Sequence, residues 1–489
     1  AMPFAASRLA YHPAGDTQEA LYAQERARLE QLRVRVISTS DLFGALTYAA
    51  LNPGEGYGTL RVIDPLTPGR PASVRDVVIF KRIPNDLSHT GGIITEQPQT
   101  PLSHVNLKAK QNKTPNAFIK DASTNPRIAP LLGKLVYFKA GPDDFELREA
   151  TTQEAEAFLE RLRPTNPSFP PRDLSVTRVR PLSELNHGDS DSVGAKAANV
   201  AELRRLLGTA VVPDGFGIPF WCYDEFMKSN DFYARARTFM ADPAFRSDPA
   251  VRERVLNDFR RDIRRAPVPA AVAAQLTSLQ AQFPTGVPIR LRSSTNNEDL
   301  PGFNGAGLYD SYTHRPDEGN IERTVKQVWS SLWNYRAFEE RDFYKIDHLT
   351  AAMGVLAHRN FDDEKSNGVA ITKNPFDANW PGFYVNAQVG ESLITNPDAS
   401  RPDEFLVSRI GPQGEYEVQY VQRSDQVPAG TSVLTRPQID ALVRALDRLQ
   451  THFKRVYEAQ NDPKFAMDVE WKFDVQGRLV IKQARPVVD

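Results

Sequence analysis

The sequence predicts a multidomain protein of mixed α/β and α+β class, with a small α/β domain followed by a larger domain of two lobes. Three observations lead to this prediction. The chain has 489 residues, which is too many for one ordinary hydrophobic core. Short apolar runs bounded by Gly, Pro, Asn and Asp, which are typical of strands, alternate with apolar residues at helical spacing. A proline-rich stretch separates the two regions.

The small domain is predicted at residues 1–162. A charged helix is expected over residues 17–33. The apolar runs predicted as strands are 77–80, 92–95 and 134–138. A further helix is predicted over residues 104–113, because Thr114-Pro115 ends the helical pattern.

Residues 163–180 begin with several prolines and are predicted to be a linker of intermediate stiffness, about which the small domain swings. The alternative interpretation is a surface loop within one domain. The remaining residues, 181–489, are predicted to form one mixed domain that is large enough for two lobes. Helical spacing of apolar residues is found over 193–207, 321–332 and 439–456. Strand-like runs are found at 289–292, 368–372 and 384–387, and around Val469 and Ile481.

Composition excludes several classes of protein. The formal net charge of -1 argues against a general nucleic-acid or anionic-membrane binder. A single cysteine, Cys222, can form neither an internal disulfide nor a Cys-rich zinc site, and low cysteine content fits a reducing cytoplasm. No apolar run reaches membrane-spanning length, and no signal peptide is evident. We therefore expect a cytoplasmic protein without nucleic-acid or membrane partners, and we make no prediction about its oligomeric state.

Two segments carry residues that suit phosphate binding. A small-residue turn before Lys196 opens a helix, so free backbone N–H groups and an ammonium can face an anion. Further along, a strand ends at Arg292, and hydroxyl residues, the acidic pair Glu298-Asp299 and a glycine-rich loop follow. A guanidinium can hold phosphate through two hydrogen bonds. The alternative interpretations are a solvated lysine and an ordinary polar loop.

The C-terminal residues predict a β-hairpin with its turn at Gln476-Gly477. Asp468 and Glu470 are two residues apart and therefore point to one face of the strand. Gln483 and Arg485 repeat this pattern on the partner strand. Mg²⁺ prefers hard oxygen ligands together with substrate phosphates, and an arginine can hold a transferring phosphoryl group. The alternative interpretation is an exposed face with two salt bridges.

A weaker candidate follows a strand-like run at Gln388, where Glu391 stands beside a glycine and could contact ribose hydroxyls or a metal. The segments 193–199, 292–307 and 468–486 together resemble the ATP-grasp nucleotide domain of the phosphoenolpyruvate synthase, pyruvate phosphate dikinase and glucan water dikinase family. The segment from Gly91 to Asn106 resembles the family's swivelling phosphohistidine domain, in which a glycine pair precedes a phosphorylated histidine that opens a helix. The domain order resembles that of the glucan water dikinases.

The resemblance implies a role for each matching residue, with ATP and Mg²⁺ as cofactors. The residues implied to contact ATP phosphates are Lys196, Arg292 and Arg336. We also place Glu298, Asp299, Gln388 and Glu391 in the predicted nucleotide site. The residues implied to face Mg²⁺ are Asp468, Glu470 and Gln483. Arg292 and Arg485 would stabilise the transferring phosphoryl group, and His104 would be the phosphorylated residue.

A phosphohistidine relay suits the chemistry of imidazole, which is a good nucleophile at physiological pH and forms a labile N–P bond. The expected reaction transfers the β-phosphoryl of ATP to His104, releases AMP and orthophosphate, and passes the phosphoryl group to an acceptor. His89 is the reserve candidate for the relay. The acceptor stays open between a glucan, another sugar, a small metabolite and a protein. Two other classes also stay open: an ATP-grasp ligase that uses no phosphohistidine, and an ATP-binding sensor or phosphocarrier without its own acceptor site.

Overall fold

In the computed structural model the described residues are 10–11, 16–37, 46–64, 72–82, 89–97, 104–298, 300, 303, 305, 307–361, 364–374, 382–390, 402–410, 415–428 and 430–487. The chain divides into two units, which are called here the N-terminal unit (Ala1–Leu162) and the C-terminal unit (Arg163–Asp489). Each unit is described by itself below.

The N-terminal unit contains a seven-stranded mixed sheet. Its strands are β1 (Tyr48–Asn52), β2 (Gly54–Ile63), β3 (Asp76–Phe80), β4 (Gly92–Thr95), β5 (Asn116–Ile119), β6 (Leu135–Ala140) and β7 (Phe145–Glu149). Its helices are α1 (Asp16–Gln31), α2 (His104–Gln111) and α3 (Thr152–Leu162). The strand order is β1-β5-β4-β3-β2-β6-β7, and β2, β3, β4 and β5 run parallel to their neighbours in that series.

The central parallel strands β3, β4 and β5 are buried along their whole length and mostly apolar, as is typical of parallel strands with both faces of the sheet covered. Every residue of β3 is buried, and Val105 and Ala109 of α2 pack against Val78 and Ile93 on one face. His104 is the first residue of α2, which begins where the sequence predicts it and ends at Gln111. The structure describes the backbone of His104 and its position at the start of the helix, and its side chain lies outside the description.

The C-terminal unit contains two antiparallel sheets. The strands of the first sheet are β8 (Arg180–Pro181), β9 (Gly215–Ile218), β10 (Ile289–Thr295), β11 (Tyr312–His314) and β12 (Met353–Arg359), in the order β11-β10-β12-β9-β8. The strands of the second sheet are β13 (Glu364–Ile371), β14 (Gly382–Val389), β15 (Asp403–Arg409), β16 (Tyr416–Gln422), β17 (Met467–Asp474) and β18 (Leu479–Pro486), in the order β16-β15-β14-β13-β17-β18. The helices are α4 (Ser190–Val193), α5 (Ala195–Leu207), α6 (Phe220–Ser229), α7 (Phe232–Ala241), α8 (Pro243–Ser247), α9 (Pro249–Arg265), α10 (Ala270–Gln280), α11 (Glu322–Ser331), α12 (Tyr335–Phe343) and α13 (Arg436–Val456).

Each sheet has its own hydrophobic core, which defines two lobes. The first lobe packs α6–α12 against the first sheet around the fully buried Trp329 and Trp333. The second lobe packs α5 and α13 against the second sheet around Trp471. The chain passes from the first lobe to the second between β12 and β13. The fold class predicted from the sequence is therefore confirmed: the protein is a mixed α/β and α+β multidomain protein with a two-lobed second domain.

Helix α13 shows how the sequence specifies an element of the second lobe. Thr435 and Gln438 form a capping box, in which Gln438 Oε1 accepts a hydrogen bond from Thr435 N at 2.9 Å. Ile439, Leu442 and Leu446 are buried at helical spacing and face the second sheet. Among the helices within the described ranges, none has both the length and the apolar character needed to cross a bilayer.

Two residues of the segment 163–180, which is predicted to be a linker of intermediate stiffness, are hydrogen-bonded to distant residues of the C-terminal unit. Arg163 Nε donates to Phe343 O at 3.1 Å, and Ser168 N donates to Lys345 O at 2.9 Å. These partners lie about 180 residues further along the chain, which is why local composition does not indicate them.

Candidate functional site

Arg292 connects the two lobes of the C-terminal unit. It lies on β10 of the first sheet, and its Nη2 atom donates to Glu470 Oε2 at 2.9 Å and to Gln483 Oε1 at 2.6 Å. Its Nη1 atom donates to Lys482 O at 3.2 Å. These acceptors lie on β17 and β18 of the second sheet, so the predicted phosphate-binding arginine and the predicted metal-facing residues meet in one cleft between the lobes.

The C-terminal hairpin has the register that the sequence predicts. Asp468 pairs with Arg485, and Glu470 pairs with Gln483. Arg485 donates to Asp468 Oδ2 from Nη2 at 2.8 Å and from Nε at 3.1 Å. Alternation places these four side chains on one face of the sheet, while Val469 and its apolar neighbours pack into the core on the other face.

The charges of this face stabilise one another. Burial by itself raises the pKa of Glu470, but the cations Arg292, Arg485 and Lys196 outweigh it and hold that pKa at about 2. Burial disfavours the charged form of Arg485, but Asp468 and Glu470 raise its pKa above the usual value. The side chain of Glu470 is nevertheless 40% exposed, so this ionised carboxylate is open to the cleft.

Lys196 lies in the first turn of α5 and reaches β10 and the loop after it. Its Nζ atom donates to Ser293 O at 2.8 Å and to Glu298 Oε1 at 3.0 Å. Burial lowers the pKa of Lys196, and the adjacent Glu298 opposes that effect. Among the described residues nothing donates to Glu298 Oε2, which is buried. An ammonium and a carboxylate with an unused acceptor oxygen therefore lie together at this side of the cleft.

The turn before α5 differs in part from the predicted phosphate cradle. Gly194 has φ of +87° and packs so closely against β10 that a Cβ atom would stand 2.2 Å from Ser294 O. Ser294 Oγ accepts a hydrogen bond from Ala197 N at 2.9 Å. One N–H group of the helix start is therefore bound to a protein hydroxyl, and the glycine serves close packing between α5 and β10.

The other predicted site residues are more dispersed. Gln388 is buried on β14 and pairs across the strands with Asn367, which in turn pairs with Lys472 of β17. Arg336 lies in the first turn of α12 and is half-buried. The predicted contacts of Asp299 and Glu391 lie outside the described residues, as does the side chain of His104. The reserve candidate His89 is half-buried, and burial lowers its pKa to about 4.

Five polar residues of the cleft were not predicted from the sequence: Arg290, His358, Glu364, Lys472 and Lys482. Glu364 Oε1 lies 3.5 Å from Lys472 Nζ and 2.6 Å from Lys482 Nζ. The alternation that identifies Glu470 also indicates Lys472 two residues later, and the alternation that identifies Arg292 also indicates Arg290. Glu364 lies on a strand with no local pattern that would single it out.

The donor set of the hairpin fits Mg²⁺ in chemistry. Asp468, Glu470 and Gln483 offer carboxylate and amide oxygens, and the low pKa of Glu470 keeps that carboxylate ionised. The described side chains contain no group of three or more His, Cys, Asp and Glu residues arranged to bind a metal ion by themselves. This agrees with the preference of Mg²⁺ for one or two carboxylates combined with substrate phosphates.

Comparison with known families agrees with this geometry. Residues 190–488 match the family model described as the pyruvate phosphate dikinase AMP/ATP-binding domain. The matched range contains both lobes from α4 onward, including Lys196, Arg292 and the C-terminal hairpin.

Curated relatives are similar over the same part of the chain. Rifampicin phosphotransferase of a Streptomyces species is 28% identical over 64% of this chain and 36% of its own length. Phosphoenolpyruvate synthase of Aeropyrum pernix is 23% identical over 62% of this chain and 42% of its own length. Phosphoenolpyruvate synthase of Pseudomonas aeruginosa is 24% identical over 64% and 42%. The similar region is thus less than half of each relative.

Proposed function

The chain belongs to the family of the pyruvate phosphate dikinase AMP/ATP-binding domain, and from this premise we propose that it is an ATP-dependent phosphotransferase of the dikinase type. The observation that carries the proposal is Arg292, which reaches from one lobe to Glu470 and Gln483 of the other. A cleft between two lobes, with an arginine on one wall and ionised carboxylates on the other, suits a nucleotide polyphosphate with its metal ion.

Each polar residue of the cleft has a proposed task. Lys196, Arg292 and Arg336 bind phosphate oxygens, and Arg485 stabilises the charge that develops on the transferring phosphoryl group. Asp468, Glu470 and Gln483 hold Mg²⁺, which when bound neutralises phosphate charge. The proposed contacts of Glu298, Asp299, Gln388 and Glu391 complete the nucleotide site.

Binding of the nucleotide requires an exchange of partners. Arg292 is hydrogen-bonded to Glu470 and Gln483, and Arg485 to Asp468. When phosphate oxygens become acceptors for the two guanidinium groups, the carboxylate and amide oxygens are released to bind a cation. The protein residues therefore supply positioning and a pre-arranged set of charges, which are the main sources of catalysis in phosphoryl transfer.

The proposed acceptor of the phosphoryl group on the protein is His104, at the start of α2 in the N-terminal unit. The imidazole forms a bond to the β-phosphorus, and the bond from that phosphorus to the oxygen of AMP breaks. Water takes the γ-phosphoryl group, so ATP, water and histidine give phosphohistidine, AMP and orthophosphate. The phosphoryl group then passes to a small molecule or a glucan. Backbone N–H groups at a helix start favour a bound phosphoryl group.

The nucleotide products of a single turnover test this proposal. We expect the wild-type protein with ATP and Mg²⁺ to yield AMP and orthophosphate. Glu470→Gln should lower the rate about 100-fold or more, because it removes a charged metal-facing oxygen. The matched control is Glu417→Gln, since Glu417 is an exposed residue of β16 in the same sheet. ADP as the nucleotide product would favour a ligase instead, and ATP binding without turnover would favour a sensor.

A further inference from the structure

Basic side chains gather where the chain passes from the first lobe to the second. Arg290 lies two residues before Arg292 on β10, so both side chains point to the same face of the sheet. The Cα atoms of two such residues are about 7 Å apart. Lys472 on β17 and Lys482 on β18 approach the same region from the second sheet, where both contact Glu364 at the start of β13. Three of these basic residues, Arg290, Lys472 and Lys482, have no task in the proposed function.

The carboxylates of this region do not balance its cations. Glu364 is 7% exposed and is shared by two lysines, one 2% and the other 24% exposed. Arg290 is half-buried, and its described hydrogen bond goes to the neutral Thr313 Oγ1 at 3.0 Å. Asp474 also acts on Lys472 and is itself ion-paired with Arg478. Among the described side chains, the cations that face these three carboxylates (Glu364, Glu470, Asp474) are five: Arg290, Arg292, Lys472, Arg478 and Lys482. Partly buried cations in excess favour binding of an anion.

A β-bulge directs the side chain of Lys482 toward this cluster of basic residues. In the hairpin Glu470 pairs with Gln483 and Trp471 pairs with Ile481, so Lys482 is the extra residue without a pairing partner. A bulge of this kind interrupts alternation and redirects a side chain, and such bulges are frequent beside functional sites. Lys482 Nζ consequently lies on the same side as Lys472, against Glu364, while its carbonyl accepts from Arg292.

The side chain of His358 lies close to several of these cations. It lies on β12 directly opposite Arg290 of β10, and its ring stacks on Phe361 with centroids 5.1 Å apart. Burial, together with the positive charges of Arg292, Arg290 and Lys482, lowers the pKa of His358 to about 3. The backbone O of Arg359 accepts from Nδ1 and opposes the shift. Side chains from strands of both sheets, β10 and β18, therefore act on one buried imidazole.

We propose that Arg290 and Lys482 form an additional anion subsite beside Arg292, which binds a phosphate group, with Glu364 as the residue that positions Lys482. The inference that this phosphate belongs to the nucleotide rests on the proposed function. Free orthophosphate, which the proposed reaction releases, has the same chemistry and is the other possible source.

Equilibrium binding of ATP, AMP and inorganic phosphate to the full chain distinguishes these sources. The variants are Arg290→Met and Lys482→Met, which remove charge while keeping most of the side-chain length, and Lys482→Arg, which keeps the charge. Lys464→Met is the matched control, because Lys464 is exposed and lies in the loop before β17. Circular dichroism and the thermal midpoint establish that each variant is folded.

We expect both methionine variants to bind at least one of the three probes about tenfold more weakly, because one charge-assisted contact is lost. Lys482→Arg should restore most of the affinity, and Lys464→Met should leave it unchanged.

The pattern of losses identifies the phosphate that occupies the subsite. Equal losses for ATP and AMP assign the α-phosphate, a loss confined to ATP assigns the β- or γ-phosphate, and a loss for orthophosphate assigns the free anion. If wild type binds orthophosphate but no nucleotide, and the methionine variants bind orthophosphate more weakly, the proposed function fails while the subsite stands. Unchanged affinities of folded variants for all three probes, or no binding by wild type, would overturn the subsite.

Discussion

At the scale of single residues, the site is a set of charges that hold one another in place. The pKa of Glu470 is about 2 because Arg292, Arg485 and Lys196 outweigh the effect of burial. An exposed glutamate would be ionised near neutral pH as well, so the low value matters for another reason. It reflects the closeness of three cations to this carboxylate, and the proposed function requires two of them, Arg292 and Arg485, to exchange carboxylate oxygens for phosphate oxygens.

His358 gives a pH-dependent prediction at the same scale. Its pKa falls from 6.5 to about 3 on folding, so the unfolded chain binds a proton more readily than the folded chain. The contribution of His358 to stability is fully present above pH 6.5 and is lost as the pH falls toward 3. The unfolding free energy of wild type should therefore fall between pH 7.5 and pH 5. In His358→Gln, which keeps a donor for Arg359 O, we expect this fall to be smaller than in wild type by about 2 kcal/mol.

Urea unfolding of both proteins at several pH values measures this difference. Carboxylates contribute equally to the acid dependence of both chains, so the comparison isolates the imidazole. The same dependence on pH in wild type and variant would contradict a buried, neutral His358.

At the scale of elements, the position of Lys196 depends on the contact between α5 and β10. Gly194, which precedes α5, has φ of +87° and lies against the backbone of Ser294. Ser294 Oγ also donates to Val193 O at 2.8 Å, which fixes the chain just before the helix. The first turn of α5, with Lys196 on it, is therefore set by backbone packing against the strand that carries Arg292.

Gly194→Ala should consequently be more damaging than a comparable substitution elsewhere. Both Gly194 and Gly208, at the two ends of α5, have positive φ values of +87° and +85°, and nothing lies within 4 Å of a Cβ atom at Gly208. Gly208→Ala should cost about 1–2 kcal/mol from backbone strain alone. Gly194→Ala should cost at least about 3 kcal/mol, because strain and a backbone clash add. Chemical denaturation measures both, and equal losses would contradict the close approach.

The elements also show how far the sequence predicts the structure. Strict alternation of Asp468, Glu470, Gln483 and Arg485 with apolar residues is enough to predict the hairpin, its polar face and its register. The bulge at Lys482 is set by the tertiary fold, because it depends on Arg292 and Glu364 from other strands. Alternation alone therefore misses Lys482.

At the scale of the whole molecule, sequence and structure agree on a mixed α/β and α+β protein with a two-lobed second domain. Within residues 163–180, which the prolines predict to be a linker of intermediate stiffness, distant carbonyls accept hydrogen bonds from Arg163 and Ser168. Hydrogen bonds between residues about 180 positions apart leave no pattern in the local sequence, so these contacts are recognised only in the folded structure. The chain belongs to a nucleotide-binding family through residues 190–488, whereas His104 lies before that range.

The central claim is that a phosphoryl group from ATP passes to His104. The most direct measurement incubates the full chain with ATP labelled with ³²P at the β-position and Mg²⁺, and follows acid-labile, base-stable label on the protein. The matched control is His12→Ala, a histidine near the N-terminus that has no proposed task. We predict that wild type and His12→Ala carry up to one label per chain, and that His104→Ala carries none while still binding ATP. Full labelling of His104→Ala, or no labelling of a wild-type protein that converts ATP to AMP, would contradict the claim.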